Sequence, residues 1–180
     1  MDEMDRLIDD LHGLPAEAER VEYRQRGYHL EVRLQAGQVR AFAELLRKKE
    51  FYLTFVSAVH VCPAIEIVYQ FACYARPCRI VTRSAVANDG TLPSIADIFD
   101  GANWHERETR DMFGVVFTDH PNLEPLLLPE DAADLKPLLK KERAIKPADQ
   151  LRPPFDGEAQ DSGPPTATET GVKEPNPERQ

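Results

Sequence analysis

Residues 64–86 read AIEIVYQFACYARPCRIVTRSAV, two runs dense in β-branched and aromatic residues that meet around Arg76 and Pro77. Such runs separated by a short break predict a β-hairpin. Upstream, residues 51–61 are apolar and their pattern is ambiguous. Before them, QVRAFAELLRKKE places Val39, Phe42, Leu45 and Leu46 on one face and Arg40, Glu44 and Arg47 away from it. That spacing predicts a helix, with Lys48 and Lys49 suited to its C-terminal end. Earlier still, Tyr28, Leu30, Val32 and Leu34 alternate with His29, Glu31 and Arg33, the mark of a half-buried strand, and Gly37 ends it. Met4, Leu7, Ile8 and Leu11 fall at helical spacing ahead of Gly13 and Pro15, which predicts a short amphipathic N-terminal helix.

Downstream of the hairpin, ANDG at 87–90 is a turn, and LPSIADIF predicts a short helix with Ser94 as its N-cap. The order helix, strand, helix, strand, strand, helix has too few βαβ crossovers for a doubly wound sheet. The expected fold is therefore α+β: a two-layer domain with a mostly antiparallel or mixed sheet and helices on one face. Three regions follow. Residues 1–114 form the domain, 115–146 form an extended arm rich in Leu and Pro, and 147–180 have the acidic, Pro-rich composition of a disordered tail.

Composition narrows the function. The chain has 180 residues, a net charge of -9 and 42% hydrophobic content. An acidic chain is poorly suited to gripping phosphate backbones, which argues against nucleic acid as a partner. Cys62, Cys73 and Cys78 are odd in number and form no CxxC pair, which suits a reducing, cytoplasmic compartment. The opening MDEMDRLIDDLH resembles neither a secretory signal nor a transit peptide, and no segment approaches the ~18 consecutive apolar residues of a spanning helix. The glycines are scattered, with no dinucleotide or phosphate-binding fingerprint and no internal repeat.

The densest chemistry lies in NWHERETRDMFG, residues 103–114. Asn103 and Glu106 have the spacing of a capping box, and Gly114 stands where a left-handed C-cap is wanted, so the stretch predicts a helix. Glu106 with Arg110, and Arg107 with Asp111, are four apart and can pair on its surface. One reading is then a solvated, salt-bridged helix. A second takes His105, Glu108, Asp111, Asp119 and His120 as metal ligands, although the spacing matches neither HExxH nor a facial triad. Glu106 and Glu108 as an acid–base pair, or Cys73 with His60 or His105 as a thiol catalyst, complete the catalytic options. A third reading joins the helix to the arm beyond it, whose Phe117, Leu123, Leu126, Leu127 and Leu128 must lie over this domain or dock on another polypeptide.

The stretch PSIADIFDGANWHERETRDMFGVVFTDHP also resembles the signature region of the C-type subunit of bacterial respiratory NADH:quinone oxidoreductase, the thirty-kilodalton subunit of complex I. The family pattern runs Glu-Arg-Glu, two residues, an acid, two apolar residues, six residues and a His. Glu106, Arg107, Glu108, Asp111, Met112, Phe113 and His120 fill it in order. Pro93, Ser94, Asp97, Ile98, Asn103 and Trp104 match the lead into the motif, and the resemblance covers about residues 22–141. Two departures stand out. Glu124 and Pro125 replace basic residues, and Pro137, Leu138, Leu139, Lys140 and Lys141 stand where the family tends to read Pro-Leu-Arg-Lys-Asp.

The resemblance implies a structural subunit of the peripheral arm, on the cytoplasmic side of the inner membrane, beside the D-type subunit of the quinone site and near the B-type and I-type subunits. In such complexes electrons pass from NADH through FMN and iron–sulfur clusters in partner subunits to quinone, with proton translocation. It implies no cofactor, metal or catalytic residue in this chain. It also makes Trp104, Glu106, Arg107, Glu108, Asp111, Met112, Phe113, Gly114, His120 and Pro121 an expected subunit interface. The equivalent subunit of a membrane-bound [NiFe] hydrogenase or formate hydrogenlyase complex is the nearest alternative. A free-standing metal-dependent hydrolase is the alternative from another class.

Overall fold

The computed structural model describes residues 8–9, 17–75, 77–141 and 144–147. The expected N-terminal helix lies outside the described residues except for Ile8 and Asp9, which are helical, and Ile8 packs against the core. The tail beyond Pro147 also lies outside them.

Five strands build the main sheet: β1 (Glu17–Arg20), β2 (Leu30–Leu34), β3 (Phe51–His60), β4 (Ile65–Cys73) and β5 (Cys78–Ala85), in the order β1-β2-β5-β4-β3. Only β2 and β5 run parallel; β1–β2, β3–β4 and β4–β5 are antiparallel. The hairpin expected at residues 64–86 is β4–β5, paired from Glu66↔Ala85 to Cys73↔Cys78. Alternation turns Leu30, Val32, Ile67, Tyr69, Phe71 and Ile80 into the core, each 1% exposed or less. The short helix α1 (Tyr23–Arg26) and the edge strand β1 carry no apolar period and were not among the expected elements. The helix α2 (Val39–Lys48) buries Val39, Phe42, Ala43 and Leu46 in the same core, as its helical spacing requires. An α+β domain with a mixed, mostly antiparallel sheet is thus the observed class.

The stretch at 51–61 is the strand β3, and a bulge explains its ambiguous pattern. Leu53 pairs with Phe71 and Phe55 with Gln70, leaving Thr54 extra. The core-facing residues are therefore odd-numbered before the bulge (Phe51, Leu53) and even-numbered after it (Val56, Ala58). A single alternation cannot describe such a strand.

The helix expected in LPSIADIF is absent. Thr91–Pro93 form β6, which pairs in parallel with β7 (Val116–Thr118), and residues 95–99 make one turn in which Ile98 and Phe99 both donate their N–H groups to the Ile95 carbonyl. Ser94 Oγ does accept from the Ala96 N–H, as a cap would, while its O–H and the Ile95 N–H donate to Glu106, but the helical path ends after that single turn. Leu92, Ile95 and Phe99 still bury their side chains. After them comes α3 (Ala102–Phe113), which packs across β3.

Candidate interface site

Helix α3 has Gly101 as its N-cap, and Asn103, the expected cap, lies inside the first turn with no capping role. Its end is as expected. Gly114 adopts φ 80°, and its N–H donates to the Arg110 carbonyl at 2.8 Å. A side chain at that position would be strained, and its Cβ would also lie 3.2 Å from Lys136 Cδ.

The charged residues of α3 do not pair along the helix in the two expected i, i+4 couples. Glu106 is fully buried and turns toward the chain that enters the helix. Its Oε2 accepts from Ser94 Oγ at 2.5 Å and its Oε1 from the Ile95 N–H at 2.9 Å, while Ser94 Oγ accepts from the Ala96 N–H at 3.1 Å. Burial pushes its carboxyl up to about 7 against the opposing pull of those two donors. His120 lies beside it, with Nε2 3.8 Å from Glu106 Oε2. Because His120 Nδ1 accepts from the Asn122 N–H at 3.0 Å, its neutral form carries the proton on Nε2, facing the Asn103 carbonyl at 3.2 Å. Burial, helped by the charge of Arg107, holds its pKa below the ordinary imidazole value.

Arg107 and Asp111 turn the other way, toward the chain that leaves the helix. Arg107 donates from Nε to the Glu124 carbonyl and from Nη2 to the Pro125 carbonyl, both at 2.9 Å. These are backbone contacts, so the side chains at 124 and 125 are not what Arg107 reads. The departure from the family pattern at those positions leaves this clasp in place. Asp111 is fully buried, and its Oδ2 accepts from three successive amides, Leu126 and Leu127 at 2.8 Å and Leu128 at 3.2 Å. Burial alone would raise its pKa; the three donors and Arg110 more than offset it and hold the carboxyl below the usual range. The other oxygen, Oδ1, lies 3.6 Å from Arg110 Nη1.

The helix also holds the segment farther on. The Leu138 N–H donates to the Met112 carbonyl at 3.0 Å. At the far end of β3, the Lys140 N–H donates to His60 Nδ1 at 3.1 Å and the Cys62 N–H to the Lys146 carbonyl at 3.1 Å. The described part of 115–147 therefore lies against the same body as α3 and the sheet.

Of the other residues that the sequence marks, Phe113 is buried and Met112 packs against the core, whereas Pro121 is exposed, Glu108 faces solvent and Trp104 is 68% exposed. The metal-ligand reading does not come together: among the described residues no three His, Cys, Asp or Glu side chains are placed to hold an ion. The pairing of Cys73 with His60 fails on distance along the sheet, because Cys73 pairs with Phe51 at one end of β3 and His60 stands at the other. Ser94 is marked by the sequence as a cap, but its contact with Glu106 is not. The backbone amides of 126–128 carry no side-chain signal that could identify them as partners of Asp111.

The family described as "Respiratory-chain NADH dehydrogenase, 30 Kd subunit" matches residues 32–147, more than half of the chain. The C-type subunit of NADH-quinone oxidoreductase from Roseiflexus castenholzii is 46% identical over 70 residues, which are 38% of this chain and 40% of that one. The chain thus matches less than half the length of such curated relatives. The joint C/D subunit of NADH-quinone oxidoreductase from Shewanella woodyi is 50% identical over 64 residues, 35% of this chain and 11% of that one. Among solved structures, a chain of the membrane-bound sulfane sulfur reductase, an archaeal respiratory membrane complex, superposes with a TM-score of 0.64 at 25% identity, covering 76% of this chain and 83% of that one.

Proposed function

The chain belongs to the respiratory-chain NADH dehydrogenase 30 Kd subunit family, and from that membership we propose that it is a structural subunit of the peripheral arm of a proton-translocating NADH:quinone oxidoreductase. In this reading it sits on the cytoplasmic side of the inner membrane, against the D-type subunit and near the B-type and I-type subunits. FMN and iron–sulfur clusters belong to the partners, and this chain scaffolds the region around the quinone site. The segment 115–146 is its docking arm, and the face formed by α3 and that arm is the interface. No helix among the described residues is long and apolar enough to cross a membrane, and in this reading attachment runs through the complex.

One observation carries the proposal: three of the four ionic groups of the signature, all but Glu108, are spent on the flanking chain, mostly on its backbone. Asp111 holds three amides of the outgoing chain, Arg107 two of its carbonyls, and Glu106 an amide and a hydroxyl of the incoming chain. Groups so engaged shape a surface and are poorly placed to act on a substrate. The test is affinity purification of the tagged full chain from cells expressing its neighbouring genes. Recovery of a D-type subunit with NADH:quinone reductase activity is the expected result. A monomeric chain with stoichiometric bound metal and hydrolytic activity would overturn it in favour of the free-standing hydrolase.

The likeness to a chain of the sulfane sulfur reductase complex favours, as a second reading, the equivalent subunit of a related membrane-bound complex, the [NiFe] hydrogenase and formate hydrogenlyase types included. Neighbouring genes separate the two. NADH- and FMN-binding subunits favour the first reading, a nickel-binding large subunit the second.

A further inference from the structure

The bend that starts the arm is tied by one side chain. Up to Thr118 the backbone is fixed, because β7 pairs with β6 and the Thr118 carbonyl accepts from the Ser94 N–H at 2.9 Å. From Glu124 onward it is fixed again, by Arg107 and Asp111. Between these points Asp119 stands at φ 60°, in the left-handed region that side chains disfavour, so the bend needs a contact to hold it. His120 supplies that contact. Its imidazole has no exposed surface, accepts the Asn122 N–H on Nδ1 at 3.0 Å, and turns Nε2 to the Asn103 carbonyl at 3.2 Å.

Both ring nitrogens are thereby committed, and in this geometry the ring holds only one proton. An imidazolium would carry a second N–H on Nδ1, where it meets the Asn122 N–H, donor against donor. Among the described residues Glu106 is the one carboxylate paired with the ring, and it lies on the Nε2 side, 3.8 Å away. Burial pushes that carboxyl up to about 7, so as pH falls it is neutral before the ring takes its second proton. Burial, joined by the charge of Arg107 on α3, holds the ring itself below the ordinary imidazole value. The other charges around the pair are engaged or distant from Nδ1. Arg40 of α2 is bound to Asp97 and to the Ser94 carbonyl, Tyr69 of β4 is kept neutral by burial, and Asp119 is exposed.

We propose that His120 is an acid-sensitive latch at the root of the arm, closed while Nδ1 accepts the Asn122 N–H and opened by a proton on that nitrogen. Opening frees the bend at 119–122 and sets an imidazolium beside Arg107, the residue that grips the next two carbonyls. The release stops there. Asp111, held below the usual carboxylate range, keeps its three amides while the root loosens. The share of stability that His120 contributes is present above the imidazole range and lost below it. The latch is built from contacts within this chain and holds whichever complex the chain joins.

Two measurements on the full chain test it. Hydrogen exchange of the Asn122 amide, corrected for its intrinsic rate, is expected to speed up about threefold or more between about pH 7 and pH 5, while the amides of Leu126, Leu127 and Leu128 keep their protection. In nitrogen-15 NMR the Asn122 amide resonance should move with the same midpoint as the His120 ring. His120→Asn puts a carbonyl oxygen where Nδ1 stood, an acceptor that does not titrate, and should abolish both responses. Glu106→Gln should leave both in place. An Asn122 amide that stays protected and unmoved while the wild-type ring titrates overturns the proposal without any variant. An undiminished response in His120→Asn overturns it as well, and so does a response lost in Glu106→Gln, which would belong to Glu106.

Discussion

Asp111 is the residue on which most of the site depends, because one oxygen satisfies three amides that no strand or helix serves. Asp111→Asn keeps the shape but removes the charge from those bonds. It is expected to cost about 2 kcal/mol and to speed amide exchange at residues 126–128 specifically, read by urea titration and hydrogen exchange. Glu106 makes a pH prediction of opposite sign. Its folded pKa is raised to about 7 from 4.5, so the folded state binds the proton more tightly than the unfolded chain. Its stabilising share is complete below the ordinary carboxylate value and is lost as pH rises through 7, a span of about 3 kcal/mol. Asp111, held below its ordinary value, loses its share as pH falls, and His120, also lowered, loses its share below the imidazole range. Glu106→Gln should therefore flatten the decline in stability between about pH 5 and pH 8, while Asp97 and Arg40, the other charges acting on Glu106, stay in place. An unchanged decline in the variant would remove Glu106 as its source. The order of residues around these groups was legible, since the match from Pro93 to His120 marks the positions that the structure ties together. Their work was not, because each partner lies eleven to eighteen residues away in irregular chain that no period describes.

Legibility at the scale of elements followed the regularity of the backbone. The hairpin β4–β5, the strand β2 and the helix α2 each keep one period from end to end, and each was expected. β3 changes parity at Thr54, so its pattern stayed ambiguous, and the capping signal at Ser94 misled because the turn it opens goes no farther than residue 99. The bulge makes a contrast between deletions. Removing Thr54 restores plain alternation, with Val56 and Ala58 still facing the core, so that variant should fold. Removing Ser57 moves Ala58 and everything after it to the opposite face and should cost several kcal/mol or abolish folding. Equal melting temperatures for the two deletions would refute the bulge account. At the helix end, Gly114→Ala meets both a positive φ and the Lys136 stem, whereas Gly90→Ala meets a positive φ with open space around it. The first should be the more destabilising, by about 1–2 kcal/mol in total.

Across the whole molecule, the arm is part of what the domain needs, although composition alone had left open whether it covered this body or another. It ties to α3 through Arg107, Asp111 and Met112, and to the end of β3 through His60 and Cys62. Truncation should therefore have two regimes. A chain ending after Phe155 removes only acidic, Pro-rich sequence with no aromatic residue, and it should melt and assemble as the full chain does. A chain ending after Asn122 removes the three amides and two carbonyls that α3 grips, together with the Leu123 side chain that packs against the core. Charge-assisted hydrogen bonds of this kind contribute about 1.5–3 kcal/mol each at most and are partly replaced by water, so the short chain should melt clearly below the full one. Adding Asp111→Asn to the full chain separates the two contributions, since it weakens the three amide bonds and leaves Leu123 in place. If the short chain is as stable as the full one, the helix does not depend on the arm, and the clasp is only a route by which the arm leaves the domain.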